Sequence, residues 1–186
     1  MAVYSGTFNP LHIGHLAIMR YLTERMGFDE VYLVVSPQSP FKCHLDAESG
    51  KERFRAAQAA VARHPELKVR PDDTELHLPA PNYTIRTLDA LKRREPDNGF
   101  TLIIGADNLE EIARWRDYRR LLTEYGVAVY PRQDHDMDAA KKRLEGETGG
   151  DGYRITLMSD APVVDVSSTM IREGLAAGKD MSRFLM

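Results

Sequence analysis

Between positions 5 and 16 the chain reads Ser-Gly-Thr-Phe-Asn-Pro-Leu-His-Ile-Gly-His-Leu. These residue types, in this order, suit the holding of anionic oxygens. An apolar start, Ala2-Val3-Tyr4, precedes them as a candidate first strand. A helix-period run follows, with Ile18, Leu22 and Met26 at i, i+4 and i+8. A Gly-bearing turn, two imidazoles and a helix N-terminus therefore meet at one point. Unpaired N–H groups there, added to the positive end of the helix dipole, favour negative charge. His12 and His15 lie three apart and can face the same way on the first turn. Gly6 and Gly14 leave room for a phosphate chain to approach the backbone. The stretch is neither a P-loop, since no Gly-Lys-Ser/Thr follows, nor the dinucleotide fingerprint G-x-G-x-x-G. Its two histidines lack a third nearby ligand and the H-E-x-x-H spacing, so no protein-held metal is expected.

Further along stand Pro81-Asn82-Tyr83-Thr84 with Thr87-Leu88, Ile103-Ile104-Gly105-Ala106-Asp107-Asn108, Trp115-Arg116, Tyr130-Pro131-Arg132 and Val166-Ser167-Ser168-Thr169-Met170-Ile171-Arg172. Ser167 and Ser168 can cap a helix, and that helix start is a second place for an anion. Arg172 can grip a phosphate in a fork. Asp107 either accepts from a sugar hydroxyl or caps the helix behind it. Trp115 is the single tryptophan, and by itself reads as a core residue. Arg132 reads equally as an exposed loop residue.

Together with the first motif, these stretches resemble nicotinate-nucleotide adenylyltransferases, of the nucleotidyltransferase superfamily related to class I synthetases. They occur in that family's order and spacing, from about residue 2 to residue 185. The resemblance implies transfer of AMP from ATP to nicotinate mononucleotide, giving deamido-NAD and pyrophosphate in NAD synthesis. It implies His12 and His15 at the α- and β-phosphates, with Gly6, Thr7 and Phe8 around them. It places Ser167, Ser168, Thr169 and Arg172 at the leaving pyrophosphate, and Gly105, Asp107 and Arg132 on the ATP. Trp115 would stack on the pyridine ring. Thr84, with backbone N–H groups near it and Arg116, would hold the nicotinate carboxylate. Lys42, in Ser36-Pro37-Gln38-Ser39-Pro40-Phe41-Lys42, would meet the mononucleotide phosphate. Mg2+ would arrive with ATP, held mainly by phosphates. Two positions depart from the family: Gln38 and Ser39 stand where His or Asn is common, and Arg116 stands where many members carry an aromatic residue. The ending Arg183-Phe184-Leu185-Met186 is abrupt, where the family usually continues in helix.

Adenylyl transfer needs no protein nucleophile, only positioning and charge stabilisation. Other readings share the histidine chemistry. Pantetheine-phosphate, FMN and nicotinamide-mononucleotide adenylyltransferases do, and Trp115 with Asn82-Tyr83-Thr84 argues against them. His12-Ile13-Gly14-His15 also spells the class I aminoacyl-tRNA synthetase signature, and Lys179 to Arg183 faintly matches its second loop. A chain of 186 residues without a basic surface leaves no tRNA-binding domain. A nucleotide sensor without catalysis is a third reading, opposed by the intact His12, His15 and Arg172.

The elements that must position these residues alternate. Strands are expected at 2–5, 31–35, 67–69, 100–104, 126–130 and 153–158. Helices are expected at 13–26, from a capping box at Ser49-x-x-Glu52, from a cap at Asn82, around Trp115 with the second at about 117–124, at 137–147 and at 168–177. Residues 71–82 read as a loop, and Gly105-Ala106-Asp107 as a turn. Alternation with short connections predicts an α/β, Rossmann-like doubly wound parallel sheet with helices on both faces, the nucleotidylyltransferase fold. No linker or repeat divides residues 1–186, so one domain is expected. Ligands of such sheets lie beyond the carboxyl ends of the strands, and each motif reads as the exit of a strand.

Composition sets the outer bounds. Hydrophobic residues at 42% and charged residues at 28% are ordinary for a soluble globular protein. A net charge of −3 offers no nucleic-acid surface, and no apolar run is long enough to span a membrane. The start has no leader pattern, and Cys43 is alone, so a cytoplasmic setting without disulfides is expected. A homo-oligomer is compatible with the sequence.

Overall fold

The computed structural model describes residues 1–37, 50–149 and 152–186. Its six strands are β1 (Ala2–Gly6), β2 (Val31–Val35), β3 (Val69–Asp72), β4 (Thr101–Gly105), β5 (Val127–Tyr130) and β6 (Ile155–Leu157). All pair in parallel, in the order β3-β2-β1-β4-β5-β6. This is the doubly wound order, which reverses between β1 and β4. The helices are α1 (Ile13–Glu24), α2 (Gly50–Ala62), α3 (Thr74–His77), α4 (Thr84–Arg94), α5 (Ala106–Glu111), α6 (Tyr118–Arg120), α7 (Met137–Thr148) and α8 (Ser168–Ala176).

Side-chain alternation along each strand feeds two cores, one on each face of the sheet. Ala2, Tyr4, Val31, Leu33, Val35, Ile103 and Ala128 pack with Ile18, Met19 and Leu22 of α1 and Ala57, Ala60 and Val61 of α2. Val3, Tyr32, Val34, Leu102, Ile104, Val127 and Val129 pack with Ile85, Leu88 and Leu91 of α4, Leu109 of α5 and Leu144 of α7. β2 is buried at every residue, as its unbroken Val-Tyr-Leu-Val-Val requires.

The register opens the site. β1 stays paired with β2 up to Gly6–Val35. With β4 its pairing stops at Tyr4–Ile103, two residues short of both strand ends. A crevice therefore forms at the carboxyl edge, where the strand order reverses.

Several boundaries differ from the sequence reading. β3 runs over 69–72 rather than 67–69, and α3 follows it inside the segment expected to be loop. β3 is an edge strand, so Pro71 is tolerated, and Arg70 is held by Glu30 and Glu95. Gly105–Asp107 is not a free turn, because α5 begins at Ala106. Asn82 does not cap α4; its Nδ2 donates to the Glu75 carbonyl at 2.7 Å, and Tyr83 is the N-cap. α1 ends at Glu24 because Gly27, at φ 67°, turns the chain away. Residues 161–166 form no strand, so Ser167 follows a loop. Ser49 lies outside the described residues. No helix among the described residues is long and apolar enough to cross a membrane.

Candidate active site

The first helix begins on its own histidines. His12 is the N-cap of α1, and its Nδ1 accepts from Gly14 N–H at 3.2 Å. His15 reaches back, so that its Nδ1 accepts from His12 N–H at 3.2 Å. This is a capping box built from two imidazoles. The rings lie face to face, centroids 3.7 Å apart and 32° from parallel. Because each Nδ1 accepts a backbone proton, the neutral ring carries its own proton on Nε2. The pair thus presents two Nε2–H donors.

Electrostatics keep both rings neutral. Burial, then the Arg132 guanidinium, pushes His12 down to about 4. Burial, then His12, then Arg132, holds His15 well below the usual imidazole range. His12 is 4% exposed. Phe8 closes the other flank of His15, edge-on at 5.2 Å. Its own φ is 46°, in the left-handed region that a side chain rarely adopts. The Phe8 ring folds back over Gly6, where a Cβ would meet it at 3.1 Å.

Beyond the imidazoles lies an open cleft lined by Tyr4, His12, His15, Tyr130, Arg132 and the apolar residues Pro162, Val163, Val164 and Val166. Arg132 lies over the Tyr130 ring, 5.0 Å from its centroid. Its Nε is 3.8 Å from Asp107 Oδ1, a buried atom that accepts no hydrogen bond. Gly105 leaves space for both groups: a Cβ there would stand 2.3 Å from Asp107 Oδ1 and 3.2 Å from Arg132 Nε. Asp107 lies within the first turn of α5 and does not cap it.

α8 is fastened to the first motif. Ser167 Oγ caps the helix by accepting from Met170 N–H at 3.1 Å. Ser168 Oγ donates to the Pro10 carbonyl at 3.0 Å. Arg172 donates to the Asn9 carbonyl at 2.7 Å and to Thr169 Oγ1 at 3.1 Å. The chain end lies alongside, with Leu185 bridged to His12.

A second group gathers at the start of α4. Tyr83 precedes Thr84, and its ring lies 6.0 Å from the Arg116 guanidinium and 5.3 Å from that of Arg86. Trp115 is half-buried, against the core that also holds Tyr83 and Tyr118. Arg116 is exposed, with Asp117 as its nearest acid at 3.6 Å. Thr84 is half-buried in the first turn of α4, which no side chain caps.

A cytidylyltransferase-like family model matches residues 3–174. A probable nicotinate-nucleotide adenylyltransferase of Bacteroides fragilis is 42% identical over 183 residues, 98% of this chain and 85% of that one. The chain belongs to the nicotinate-nucleotide adenylyltransferase family. A second such member, from Flavobacterium johnsoniae, is 32% identical over the full length of this chain and 91% of its own. The fold matches a Plasmodium falciparum nicotinic acid mononucleotide adenylyltransferase complexed with NaAD. The TM-score is 0.77 and the identity 16%, over 99% of this chain and 89% of that one.

The family motif residues thus fall into two groups. His12, His15, Phe8, Gly105, Asp107 and Arg132 surround the crevice, with Arg172 and Ser168 tied to its entry loop. Thr84, Trp115 and Arg116 gather around Tyr83. Lys42 lies outside the described residues. Among the described residues, no cluster of three or more His, Cys, Asp or Glu is arranged to hold a metal ion.

Sequence reasoning passed over a buried polar network behind the first motif. Glu75 is buried and accepts from Ser5 Oγ at 3.0 Å and from Thr87 Oγ1 at 2.9 Å. Ser5 Oγ also lies 3.1 Å from Ser36 Oγ. Arg53 is buried beside them. The signal for Arg53 was present: positions 53, 57 and 60–61 form the inner stripe of α2. Glu75 had none, because α3 is a single turn.

Proposed function

We infer that the protein transfers the AMP moiety of ATP to nicotinate mononucleotide. A phosphate oxygen of the mononucleotide attacks the α-phosphorus in line, the α–β P–O bond breaks, and pyrophosphate leaves with the electron pair. His12 and His15 donate Nε2–H bonds to the α- and β-phosphates as charge builds there, beside the start of α1 and the Gly6-Thr7-Phe8 turn. Ser167, Ser168, Thr169 and Arg172 receive the departing pyrophosphate. Gly105, Asp107 and Arg132 hold the nucleoside end of ATP; Asp107 Oδ1, buried and lacking a donor, suits a ribose hydroxyl. Thr84, Trp115 and Arg116 take the pyridine ring and its carboxylate, and Lys42 meets the mononucleotide phosphate. Mg2+ comes with ATP and is held by its phosphates. A cytoplasmic setting fits this chemistry.

The observation that most supports this reading is the stacked pair of neutral imidazoles on the first turn of α1. It has no nucleophile and no base to offer a carbon centre, and two fixed donors to offer a polyanion. The decisive measurement is pyrophosphate release from ATP with nicotinate mononucleotide, set against nicotinamide mononucleotide, pantetheine phosphate and FMN. The highest kcat/KM is expected with nicotinate mononucleotide. A higher value with any of the others overturns the substrate assignment. ATP binding without pyrophosphate release from any of them would make the protein a sensor.

A further inference from the structure

Arg53 stands where a charge is costly. It is 2% exposed, and no carboxylate among the described residues lies within ion-pair distance of it. Its guanidinium is spent on main-chain oxygens. Nη1 donates to the Thr7 carbonyl at 2.8 Å and to the Ser36 carbonyl at 2.6 Å, and Nη2 donates to the Pro37 carbonyl at 2.5 Å. Nε is buried without an acceptor. Arg53 thus joins α2 to the exits of both β1 and β2, at the level of the Gly6–Val35 pair.

The bond to Thr7 has a consequence one atom further on. In a trans peptide the C=O and the following N–H point in opposite directions. With the Thr7 carbonyl drawn inward to Arg53, the Phe8 N–H is turned away from α2. Phe8 is only 5% exposed, yet its N–H finds no acceptor among the described residues. Main-chain N–H groups that bond to no other part of the protein are generally met by water or a ligand. The residue also holds a φ of 46°, which needs support from its surroundings. Its ring lies edge-on to His15, centroids 5.2 Å apart, which sets the residue beside the imidazole pair.

We propose that Arg53 is a positioning residue for adenylyl transfer: by holding the Thr7 carbonyl on the inner side of the β1 exit, it keeps the Phe8 N–H aimed at the phosphate chain beside the imidazole pair. Arg53 touches no substrate. It acts through the peptide between Thr7 and Phe8. Lysine keeps the charge but cannot span three carbonyls with a planar fork.

The proposal rests on the adenylyl-transfer reading, and its test separates the two. Arg53→Lys is compared with the natural protein at a temperature well below both melting points, with kcat scaled to folded protein. The expected result is a kcat lower by about 10- to 100-fold, with KM for the mononucleotide changed less than about threefold. Amide NMR with tripolyphosphate as probe supplies the reading that a general loss of packing would not move. In the natural protein the Phe8 and Ile13 amides should both shift; in Arg53→Lys only Ile13 should. A folded Arg53→Lys with kcat within twofold, or with an unaltered Phe8 response, overturns the proposal. If that variant does not fold, a Phe8 amide in the natural protein that ignores tripolyphosphate overturns it alone. Failure of the natural protein to join nicotinate mononucleotide to AMP would instead defeat the functional reading.

Discussion

The two ends of the proposed site, one assigned to the phosphates and one to the pyridine ring, are built differently. At the phosphate end, every donor is fixed by another group. His12 and His15 cap the helix they stand on, Arg172 and Ser168 are bonded to Asn9 and Pro10, and Arg53 secures the turn from behind. At the pyridine end, Thr84 sits on an uncapped first turn, Trp115 is half-buried, and Arg116 reaches over Tyr83 from solvent. The phosphate end needs geometry, because charge develops there in the transition state and the donors must already be in place. The pyridine end needs recognition, which tolerates looser contacts in the ground state. Substitutions at the first should therefore lower kcat, and substitutions at the second should raise KM.

The hardest test of that contrast is His15→Ala. It removes one Nε2–H donor and the reciprocal cap, and kcat should fall about 10²- to 10³-fold. Steady-state kinetics on folded variant would break the contrast if kcat stayed near normal. Next comes acid. Both imidazoles are held below their unfolded value of 6.5, His12 at about 4. The unfolded chain thus binds protons that the folded chain refuses, and stability is lost as pH falls from about 6.5 through about 4. His12 alone accounts for roughly 3 kcal/mol of that loss at 1.36 kcal/mol per pKa unit. Urea midpoints at pH 7 and pH 4.5 should show it. His12→Asn, which keeps a cap acceptor, should flatten the slope; an unchanged slope would remove His12 as its source. Trp115→Ala should raise KM for nicotinate mononucleotide about tenfold through lost ring stacking, with kcat altered far less. Unchanged KM would return Trp115 to a purely packing role. Arg116→Gln is the mildest. An exposed, screened guanidinium should shift the nicotinate-to-nicotinamide ratio of kcat/KM by about threefold, and a ratio that does not move would limit the residue to its backbone.

What could be read from the chain follows the same division. The strands stood out because β2 and β4 are short, β-branched and buried on both faces, so their signal needs no partner to be recognised. The histidines stood out by their spacing from a predicted helix start. Their tautomer did not, because it depends on which backbone N–H each Nδ1 meets. β3 reads two residues early, at 67–69, because Val-Arg-Pro-Asp carries no alternation and its place is set by Arg70 and Asp72 meeting acids and bases on other elements; α3, a single turn, reads as loop. The loop at 161–166 reads as an apolar segment and a strand exit, yet it lines the cleft without pairing. Asn82 has the chemistry of a cap, and the neighbouring Glu75 carbonyl claimed its amide first.

The neutrality of the stacked rings bears on the medium in which the protein works. Sites that seize polyanions with lysine clusters weaken as dissolved ions crowd around them. Two uncharged donors at the head of α1 give mobile ions little to screen. In the proposed binding mode Arg172 supplies formal charge at the far end of the chain of phosphates, so the grip at the reacting phosphorus should persist in brine while the hold on the departing fragment loosens.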